Sequence, residues 1–493
     1  MNDAKSSNAF RDRRIEKMEA FRSDGGDPYP ARVQRSDSNR DLQKEFATLA
    51  PDTVAERRAQ VAGRIQSIRN DGMFIDIYDG TDRLQLFTDL KSASPEIKTV
   101  LKALDLGDFV GASGQVRRTR RGELTLNVEA ITLLTKALLP PPEKYHGVTD
   151  TELRYRKRYV DFIASAESRQ TLLTRYKLIS AVRNFLTAEG FLEVETPILQ
   201  PIYGGAAAEP FRTHHNTLDM DLYLRIAPEL YLKRLLVGGI SDKIFELNRN
   251  FRNEGLSTRH NPEFTMLEVY QAYADVAVMM DLLERMTAFA VDAATGSTRV
   301  KVGDVELEIK PPFPRLSMID EASRALGVDF RNENDVAKLR ALVADKLKHE
   351  VDSQATWGEL VALVFETLCE AKLIEPTHVV DFPADISPLA KRSAADPRIA
   401  ERFETYCFGM EIANAFSEMN DPLAQRRILE QQVEAALRNK EFDKKVDEDF
   451  LEALEYGMPP SGGLGVGIDR LAMIAAGVSS IREVIAFPTV RPL

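Results

Sequence analysis

Cysteine is scarce in this sequence, which excludes several common kinds of site. The 493 residues include only two cysteines, Cys369 and Cys407, and no Cys-x-x-Cys pair. A disulfide framework and a cysteine-ligated zinc site are therefore not expected, and we predict a reducing, cytoplasmic location. No run approaches the roughly 18 consecutive apolar residues of a membrane span. The N-terminal residues also lack the apolar core of a secretory signal.

The familiar glycine-rich nucleotide motifs are missing too. There is no Gly-x-x-x-x-Gly-Lys-[Ser/Thr] phosphate loop. The glycines at 463, 465 and 467 follow two prolines rather than a strand, and their spacing is not that of a dinucleotide fingerprint. A net charge of −11 argues against general coating of nucleic acid, although a local basic face can still bind RNA. If ATP is used, another arrangement must bind it.

The sequence contains a clear β-rich segment, predicted as a domain over residues 55–138. From Val61, apolar and polar residues alternate, with turn signals at Asp71-Gly72, Asp79-Gly80 and Arg121-Gly122. Five short antiparallel strands predict a small OB-type β-barrel, a common binder of single-stranded nucleic acid. A fragment of a β-sandwich is the structural alternative.

The rest of the chain predicts an extension, a linker and a larger domain. Residues 1–54 form a basic N-terminal helical extension, either solvated or in contact with RNA. Pro140, Pro141 and Pro142 indicate a linker or hinge over residues 139–166. Residues 167–493 predict an α+β domain with a largely antiparallel sheet flanked by helices, and with a helical insertion near 320–375.

Three polar segments of the larger domain contain residue types that could bind a ligand, a metal ion or a phosphate. Residues 244–275 predict a hairpin that presents, on one face, Arg252, Glu254, His260, Phe264 and Glu268. Residues 401–421 place polar side chains in an apolar strand pattern: Glu404, Glu411, Asn414, Phe416 and Glu418. Carboxylates there are costly unless they bind a metal or cation, or form an ion-pair network. Residues 459–477 predict a glycine-rich strand, open to a ligand, before a helix begun by Asp469-Arg470.

These segments resemble the ordered motifs of the class II aminoacyl-tRNA synthetases. FRNE…RHNPEF resembles motif 2, GLGVGIDR resembles motif 3, and the long helix before GFLEVETP resembles motif 1, which ends at Pro197. With an OB domain, the pattern resembles the subgroup that charges aspartate, asparagine or lysine. RIAPELYLKRLL and EIANAFSEMND are similar to the bacterial lysyl-tRNA synthetases, and the resemblance extends from about residue 55 to residue 493. It implies a homodimer that activates L-lysine with ATP and charges tRNA(Lys).

The resemblance implies roles for side chains at the ATP site. Arg252 would be catalytic, binding the α-phosphate and the substrate carboxylate, since its planar fork suits two anions. Phe264 and the catalytic Arg470 would lie on opposite faces of the adenine, whose amino group Glu254 would recognise. The remaining ATP-binding residues would be His260 and Asn261 near the phosphates, and Glu404 and Glu411 as ligands of Mg²⁺.

The same resemblance implies an acidic amino-acid pocket. Its predicted members are Gly204, Glu229, Arg252, Glu268, Tyr270, Asn414, Phe416 and Glu418. Glu229 and Glu418 would bind the side-chain ammonium group, Glu268 and the Gly204-Gly205 backbone the α-amino group, and Phe416 the aliphatic stem. Since Glu229 would repel aspartate, this pocket favours lysine.

In the OB domain, the resemblance assigns the anticodon to Phe74, Gln85 and Glu129. Phe74 would stack on a base, or else be a core aromatic, and the other two would recognise base edges. Arginines at 117, 118, 120 and 121 make the neighbouring hairpin basic. Two rival hypotheses remain: a paralogue that lysylates a protein such as elongation factor P, and an inactive RNA-binding relative. The OB domain disfavours the first, and the retained Arg252 and Arg470 disfavour the second.

Overall fold

The computed structural model describes residues 2–142, 150–333, 335–348, 350–438 and 445–491. It divides into two compact units, Met1–Thr149 and Asp150–Leu493. Within the described ranges, no helix combines the length and apolar character needed to span a bilayer.

The first unit is a barrel with three helices. Its elements are α1 (Asn2–Ser23), α2 (Asn39–Glu45), β1 (Thr53–Arg69), β2 (Phe74–Tyr78), β3 (Arg83–Phe87), α3 (Pro95–Ala103), β4 (Phe109–Arg118) and β5 (Leu124–Thr135). The strands close in the order β1-β2-β3-β5-β4. The predicted OB-type barrel is therefore present. Its strands are not all antiparallel, however, because β3 pairs with β5 in parallel.

The alternation of apolar and polar residues along the strands explains which side chains fill the interior of the barrel. Ile75 and Ile77 are buried in its interior, so the residues between and before them face outward. The turn glycines at 72, 80 and 122 all have positive φ, near 90°, which other residues rarely adopt. The three turns predicted from Asp-Gly and Arg-Gly pairs thus lie where the strands reverse.

The N-terminal segment packs on the barrel rather than projecting from it. Phe21 and Leu42 are buried in the same apolar cluster as the barrel interior. Arg14 Nη1 donates to the carbonyl oxygen of Ala137 at 2.7 Å, and Lys17 Nζ lies 2.7 Å from Asp105 Oδ1. Residues 1–54, expected as an extension, therefore include helices that complete the first unit.

The second unit begins inside the expected linker. Its helices are α4 (Thr151–Arg156), α5 (Arg158–Ala164), α6 (Ala166–Ala188), α7 (Glu229–Val237), α8 (Val276–Thr295), α9 (Met318–Leu326), α10 (Val336–Leu347), α11 (Trp357–Leu368), α12 (Pro422–Arg438), α13 (Glu448–Glu455), α14 (Ile468–Ala476) and α15 (Ile481–Val484). Arg158 in α5 is fully buried and donates to Asp161 Oδ2 at 3.0 Å and to the Glu483 carbonyl at 2.6 Å. The C-terminal half of residues 139–166 is thus folded into the second unit, while residues 143–149 lie outside the described ranges.

Fifteen strands of the second unit are described. They are β6 (Leu192–Glu193), β7 (Leu199–Gln200), β8 (Arg212–His215), β9 (Met220–Leu224), β10 (Lys243–Phe251), β11 (Glu263–Ala272), β12 (Arg299–Val302), β13 (Val305–Glu308), β14 (Arg315–Ser317), β15 (Thr377–Val380), β16 (Phe382–Pro383), β17 (Ile399–Ala400), β18 (Arg402–Cys407), β19 (Met410–Ser417) and β20 (Ser461–Gly467). Between residues 191 and 199, around Pro197, the chain contributes only the short β6 and the first residue of β7.

One large sheet organises this unit. Its order is β14-β15-β18-β19-β20-β11-β10-β6, and only its two outermost pairs are parallel. One face packs on α6, α8 and α14, whose buried apolar residues join those of the strands in one core. Helices α9 to α11, at the expected insertion, have a separate apolar core. The opposite face of the central strands is left to form a cavity.

Candidate active site

A cavity of about 400 Å³ lies over the central strands of the large sheet. Strand register explains which side chains reach it. Glu404 of β18 pairs with Asn414 of β19, which pairs with Gly465 of β20, which pairs with Glu268 of β11. Because these positions share one face, residues from four strands meet along a single row.

The neighbouring row contains Arg402, Phe416, Gly463 and Tyr270. The glycine leaves space that a side chain would fill. A Cβ at Gly463 would lie 1.8 Å from Glu418 Oε1 and 2.8 Å from Tyr270 Cε1. Since real Cβ contacts are never so short, the glycine-rich strand is needed here for close approach.

A β-bulge brings Glu411 into the cavity. Glu411 and Asn414 are three residues apart, so in a regular strand they would face opposite sides. Thr405 pairs with Ala413 while Tyr406 pairs with Glu411, which leaves Ile412 as an extra residue in β19. The bulge reverses the alternation, and both Glu411 and Asn414 line the cavity.

The side chain of Arg252 lies at the end of β10. Its guanidinium carbon is 5.1 Å from the centroid of the Phe264 ring. Its buried Nε has no hydrogen-bond partner within the described chain, and burial lowers the pKa of the guanidinium despite the nearby Glu254. A desolvated arginine donor without a partner is suited to an anionic ligand.

Arg470 is positioned by two contacts with cavity residues. Its Nη1 donates to the carbonyl oxygen of Glu411 at 2.6 Å, and its Nη2 lies 3.1 Å from His260 Nε2. Burial and the Arg470 charge lower the pKa of His260. Because arginine can only donate, Nε2 of a neutral His260 accepts, and Nδ1 donates to Ser257 Oγ at 2.9 Å.

Asp469 fixes the start of α14 and hence the place of Arg470. Its Oδ2 accepts from the backbone N–H of Thr265 at 2.6 Å, and its Oδ1 is bonded to Arg175 of α6. Arg175 also donates to Thr265 Oγ1 at 2.9 Å. No local sequence pattern distinguishes Arg175, since it lies within an ordinary amphipathic helix. This buried pair ties three elements together beneath the cavity.

The carboxylate of Glu404 is held by two neighbours. Arg402 Nη2 donates to Glu404 Oε1 and the Tyr406 hydroxyl donates to Oε2, both at 2.6 Å. Burial, followed by repulsion from Glu411, raises the pKa of Glu404 to about 7. Two carboxylates that disfavour each other's charge fit a divalent cation. Among the described residues, no group of three or more His, Cys, Asp or Glu side chains is placed to bind a metal. Mg²⁺ at these two carboxylates would therefore also use oxygens of a substrate phosphate, as Mg²⁺ commonly does.

The other end of the cavity is acidic and contains an unpredicted cation. Lys233 of α7 is fully buried, and its Nζ lies 2.6 Å from Glu229 Oε1 and 2.5 Å from Glu418 Oε2. It is also 5.6 Å from the centroid of the Phe416 ring. The position expected for a substrate ammonium group, between the two carboxylates, is therefore taken by the chain itself. Among the described residues, Glu418 Oε1 has no hydrogen-bond partner.

Glu268 completes the acidic end. It is buried, and the Tyr270 hydroxyl donates to its Oε2 at 3.2 Å. Burial and repulsion from Glu229 raise the pKa of Glu268 to about 8. Burial and repulsion from Glu229 also raise the pKa of Glu418 to about 8, although Lys233 opposes the shift. Three carboxylates against one lysine leave this end of the cavity short of positive charge.

Gly204 lies outside the cavity lining, and Asn261 lines it with its amide group bonded to the protein. Gly204 does not line the cavity, and a Cβ there would meet Leu230 at 2.7 Å, whereas Gly205 does line it with φ +85°. Asn261 lines the cavity, but its Nδ2 donates to the Glu263 carbonyl at 2.5 Å and its Oδ1 accepts from the Thr489 N–H at 3.3 Å. The other residues predicted for the larger domain also line this one cavity: Glu229, Arg252, Glu254, His260, Phe264, Glu268, Tyr270, Glu404, Glu411, Asn414, Phe416, Glu418 and Arg470.

The barrel presents a separate polar and aromatic face. Phe74 is half-buried, its ring centroid lies 5.2 Å from that of Phe87, and Arg117 lies 4.3 Å from the Phe87 ring. Gln85 is buried and accepts from Thr125 Oγ1 at 3.1 Å. Register places these residues on the outside of the barrel, so Phe74 is not part of its apolar core. Glu129 is exposed and lies 3.3 Å from Arg58.

An antiparallel sheet with this arginine-, glutamate- and glycine-lined cavity, in a chain that also contains an OB barrel, defines a class II aminoacyl-tRNA synthetase. The chain belongs to the family of class II tRNA synthetases (D, K and N), which matches residues 150–491. The OB-fold nucleic acid binding domain matches residues 59–134.

Curated relatives extend over nearly the whole chain. The lysine–tRNA ligase of Sinorhizobium medicae is 52% identical over 97% of this chain and 96% of its own length. Those of Rhizobium etli (strain CIAT 652) and Agrobacterium fabrum are 49% and 50% identical, over 100% and 99% of this chain and 99% and 97% of their own. The similarity therefore includes both units.

Proposed function

We propose that this chain is a lysine–tRNA ligase that converts L-lysine and ATP to lysyl-adenylate and transfers the lysyl group to tRNA(Lys). The acidic end of the cavity is the observation that carries the choice of lysine. Glu229, Glu268 and Glu418 are three buried carboxylates, and Lys233 is the buried lysine that contacts two of them. A substrate with two ammonium groups would balance this charge, whereas aspartate would add to the imbalance. The names of the full-length relatives support the same choice.

The remaining residues support adenylate formation without a protein nucleophile. The substrate carboxylate attacks the α-phosphorus of ATP, and pyrophosphate leaves. Arg252 would bind both the carboxylate and the α-phosphate, and Arg470 would face the outer phosphates, so catalysis is positioning and charge neutralisation. Glu404 and Glu411 would hold Mg²⁺, which supplies positive charge to the phosphate oxygens. A ribose hydroxyl of tRNA then attacks the adenylate carbonyl, which forms the lysyl ester, breaks the bond to the phosphate and releases AMP.

The barrel is proposed to bind the anticodon through Phe74, Gln85 and Glu129. Arg117 and Arg69 flank the aromatic pair, with Arg69 5.8 Å from the Phe74 ring, which supports binding of a stacked base beside phosphates. We also propose a cytoplasmic homodimer. Exposed apolar residues on and after α6, among them Leu173, Tyr176 and Leu199, support a partner surface at motif 1.

Charging of purified tRNA with each of the twenty amino acids tests the proposal. We expect lysine to be incorporated, with aspartate and asparagine at background. Preferential charging with either of those two amino acids would overturn it. Transfer of lysine to elongation factor P, with no charging of tRNA, would instead favour the protein-modifying paralogue.

A further inference from the structure

The side chain of Lys233 lies where the two predicted substrate-binding carboxylates meet. Its Nζ is within 2.6 Å of Glu229 and 2.5 Å of Glu418, and no part of it is exposed. It follows Glu229 by one helical turn of α7, while Glu418 directly follows β19. One ammonium group thus joins a helix to a strand end at the wall of the cavity.

This ammonium group uses one oxygen of each carboxylate. Lys233 contacts Oε1 of Glu229 and Oε2 of Glu418. Neither oxygen of Glu418 has a hydrogen bond in the described part of the chain, and only Oε2 forms the ion pair with Lys233. Oε1 of Glu418 lies toward Gly463, while Oε2 of Glu229 lies toward Gly205. The two outer oxygens therefore lie toward glycines that line the cavity.

This inference rests on the proposed function. We infer that Lys233 is a specificity-determining positioning residue, which keeps Glu229 and Glu418 apart so that each binds a different ammonium group of the substrate. Glu418 Oε1, near Tyr270, receives the side-chain ammonium of lysine. Glu229 Oε2, with Glu268, receives the α-ammonium. The substrate does not lie between the two carboxylates, because Lys233 occupies that place.

Charge balance gives this division its effect on specificity. When ionised, Glu229, Glu268 and Glu418 carry three negative charges, and Lys233 neutralises one. The two that remain match the two ammonium groups of lysine, while Arg252 matches its carboxylate. Without Lys233, two buried carboxylates would repel each other and take up a proton instead of binding the substrate.

Lys233→Met tests the inference, because methionine has a similar length and no charge. We expect the KM for lysine in pyrophosphate exchange to rise by roughly tenfold or more, with a smaller change in kcat and in the KM for ATP. The paired variant Lys233→Met/Glu229→Gln removes one cation and one carboxylate and restores the charge balance. It should bind lysine more tightly than Lys233→Met alone, even though Glu229→Gln by itself weakens binding.

Additive effects of the two substitutions, or a lysine KM in Lys233→Met equal to that of the unaltered chain, would overturn the role of Lys233. Direct titration with lysine, without ATP, and thermal unfolding separate lost binding from lost folding. If Lys233→Met does not fold, Lys233→Arg provides the test. A longer, forked cation retains the charge but shifts the two carboxylates, so lysine should bind less well relative to its shorter homologue ornithine. An unchanged lysine-to-ornithine ratio contradicts the inference. The proposed function fails separately, if the unaltered chain shows no lysine-dependent exchange.

Discussion

Arg402 Nη2 donates to Glu404 Oε1 at 2.6 Å, and the same guanidinium donates from Nε to Asn414 Oδ1 at 3.0 Å. The arginine thus connects a proposed metal ligand to a residue of the proposed amino-acid pocket. The guanidinium carbon of Arg402 also lies 4.4 Å from the centroid of the Phe382 ring, and this contact helps to hold the arginine side chain in place. Arg402 was not among the residues predicted from the sequence, yet this arginine positions the carboxylate on which metal binding would depend.

Loss of this arginine should weaken magnesium binding. We expect Arg402→Met to raise the Mg²⁺ concentration for half-maximal pyrophosphate exchange several-fold, because Glu404 loses the group that orients it. A magnesium titration at saturating ATP measures this. Arg392→Met, at an exposed arginine outside the cavity lining, is the matched control. An identical magnesium requirement in Arg402→Met and in the control would contradict the metal assignment.

Arg252 should be indispensable for adenylate formation. Arg252→Lys keeps a positive charge but loses the fork that would bind two anions at once. The exchange rate should fall by at least about 100-fold, with little change in thermal stability. Pyrophosphate exchange measures the rate, and thermal unfolding followed by circular dichroism on the same sample measures the stability. Activity within a fewfold of the unaltered chain would remove Arg252 from the catalytic role.

Space above Gly463 should control lysine binding. In Gly463→Ala the new methyl group would displace Glu418 and Tyr270, so the lysine KM should rise roughly tenfold or more. Gly465→Ala is the graded comparison, because its nearest contact is the flexible end of Met266, at 3.2 Å. Equal effects of the two substitutions on the lysine KM would contradict the role assigned to Gly463.

Lysine binding should depend on pH. Burial raises the pKa of Glu268 and of Glu418 to about 8, so the empty pocket holds protons at pH 7 that a bound ammonium group would expel. The charged and titratable groups that face this pair are Glu229, Lys233, Tyr270, Arg252 and Glu246. The lysine KM should therefore fall as pH rises from 6 to about 8.

Calorimetry in buffers with different ionisation enthalpies measures the linked proton. We expect release of a proton, up to about one per lysine bound at pH 7. Proton uptake on binding, or a lysine KM that rises between pH 6 and 8, would contradict this charge arrangement.

The aromatic face of the barrel should act only in the tRNA step. Phe74→Ala should raise the KM for tRNA roughly fivefold or more, since stacking of one base contributes about 1–3 kcal/mol. Pyrophosphate exchange requires no tRNA and should be unchanged. Phe74→Tyr retains the ring and should behave nearly as the unaltered chain. An equal loss of exchange and charging in Phe74→Ala would indicate a folding defect rather than a lost base contact.

Local patterns predicted the hairpin and the glycine strand well. Alternation places Phe264, Glu268 and Tyr270 on one face of β11, and the structure has them lining one cavity. The same period-two rule cannot place Glu411, because the bulge at Ile412 reverses its side. It also cannot find Lys233, whose partner Glu418 lies 185 positions away in sequence. Contacts of that kind depend on how a helix packs against a strand end, which no local pattern contains.

Local sequence patterns also could not predict where the linker ends. Three prolines indicate where regular structure is interrupted, but helices α4 and α5 also lie within the predicted linker, and α5 carries the buried Arg158. Its partners are Asp161, nearby, and the carbonyl of Glu483, far along the chain. Burial of this arginine is a tertiary effect, so the sequence alone favoured a longer linker.

Amino-acid-dependent exchange of pyrophosphate into ATP tests the assignment of lysine most directly. The purified chain is supplied with ATP, Mg²⁺ and either L-lysine, L-aspartate or L-asparagine, and incorporation of labelled pyrophosphate into ATP is followed. The acidic pocket predicts exchange with lysine, a strong loss in Glu418→Gln, and background rates with the other two. Exchange stimulated by aspartate or asparagine, or undiminished lysine exchange in Glu418→Gln, would contradict it.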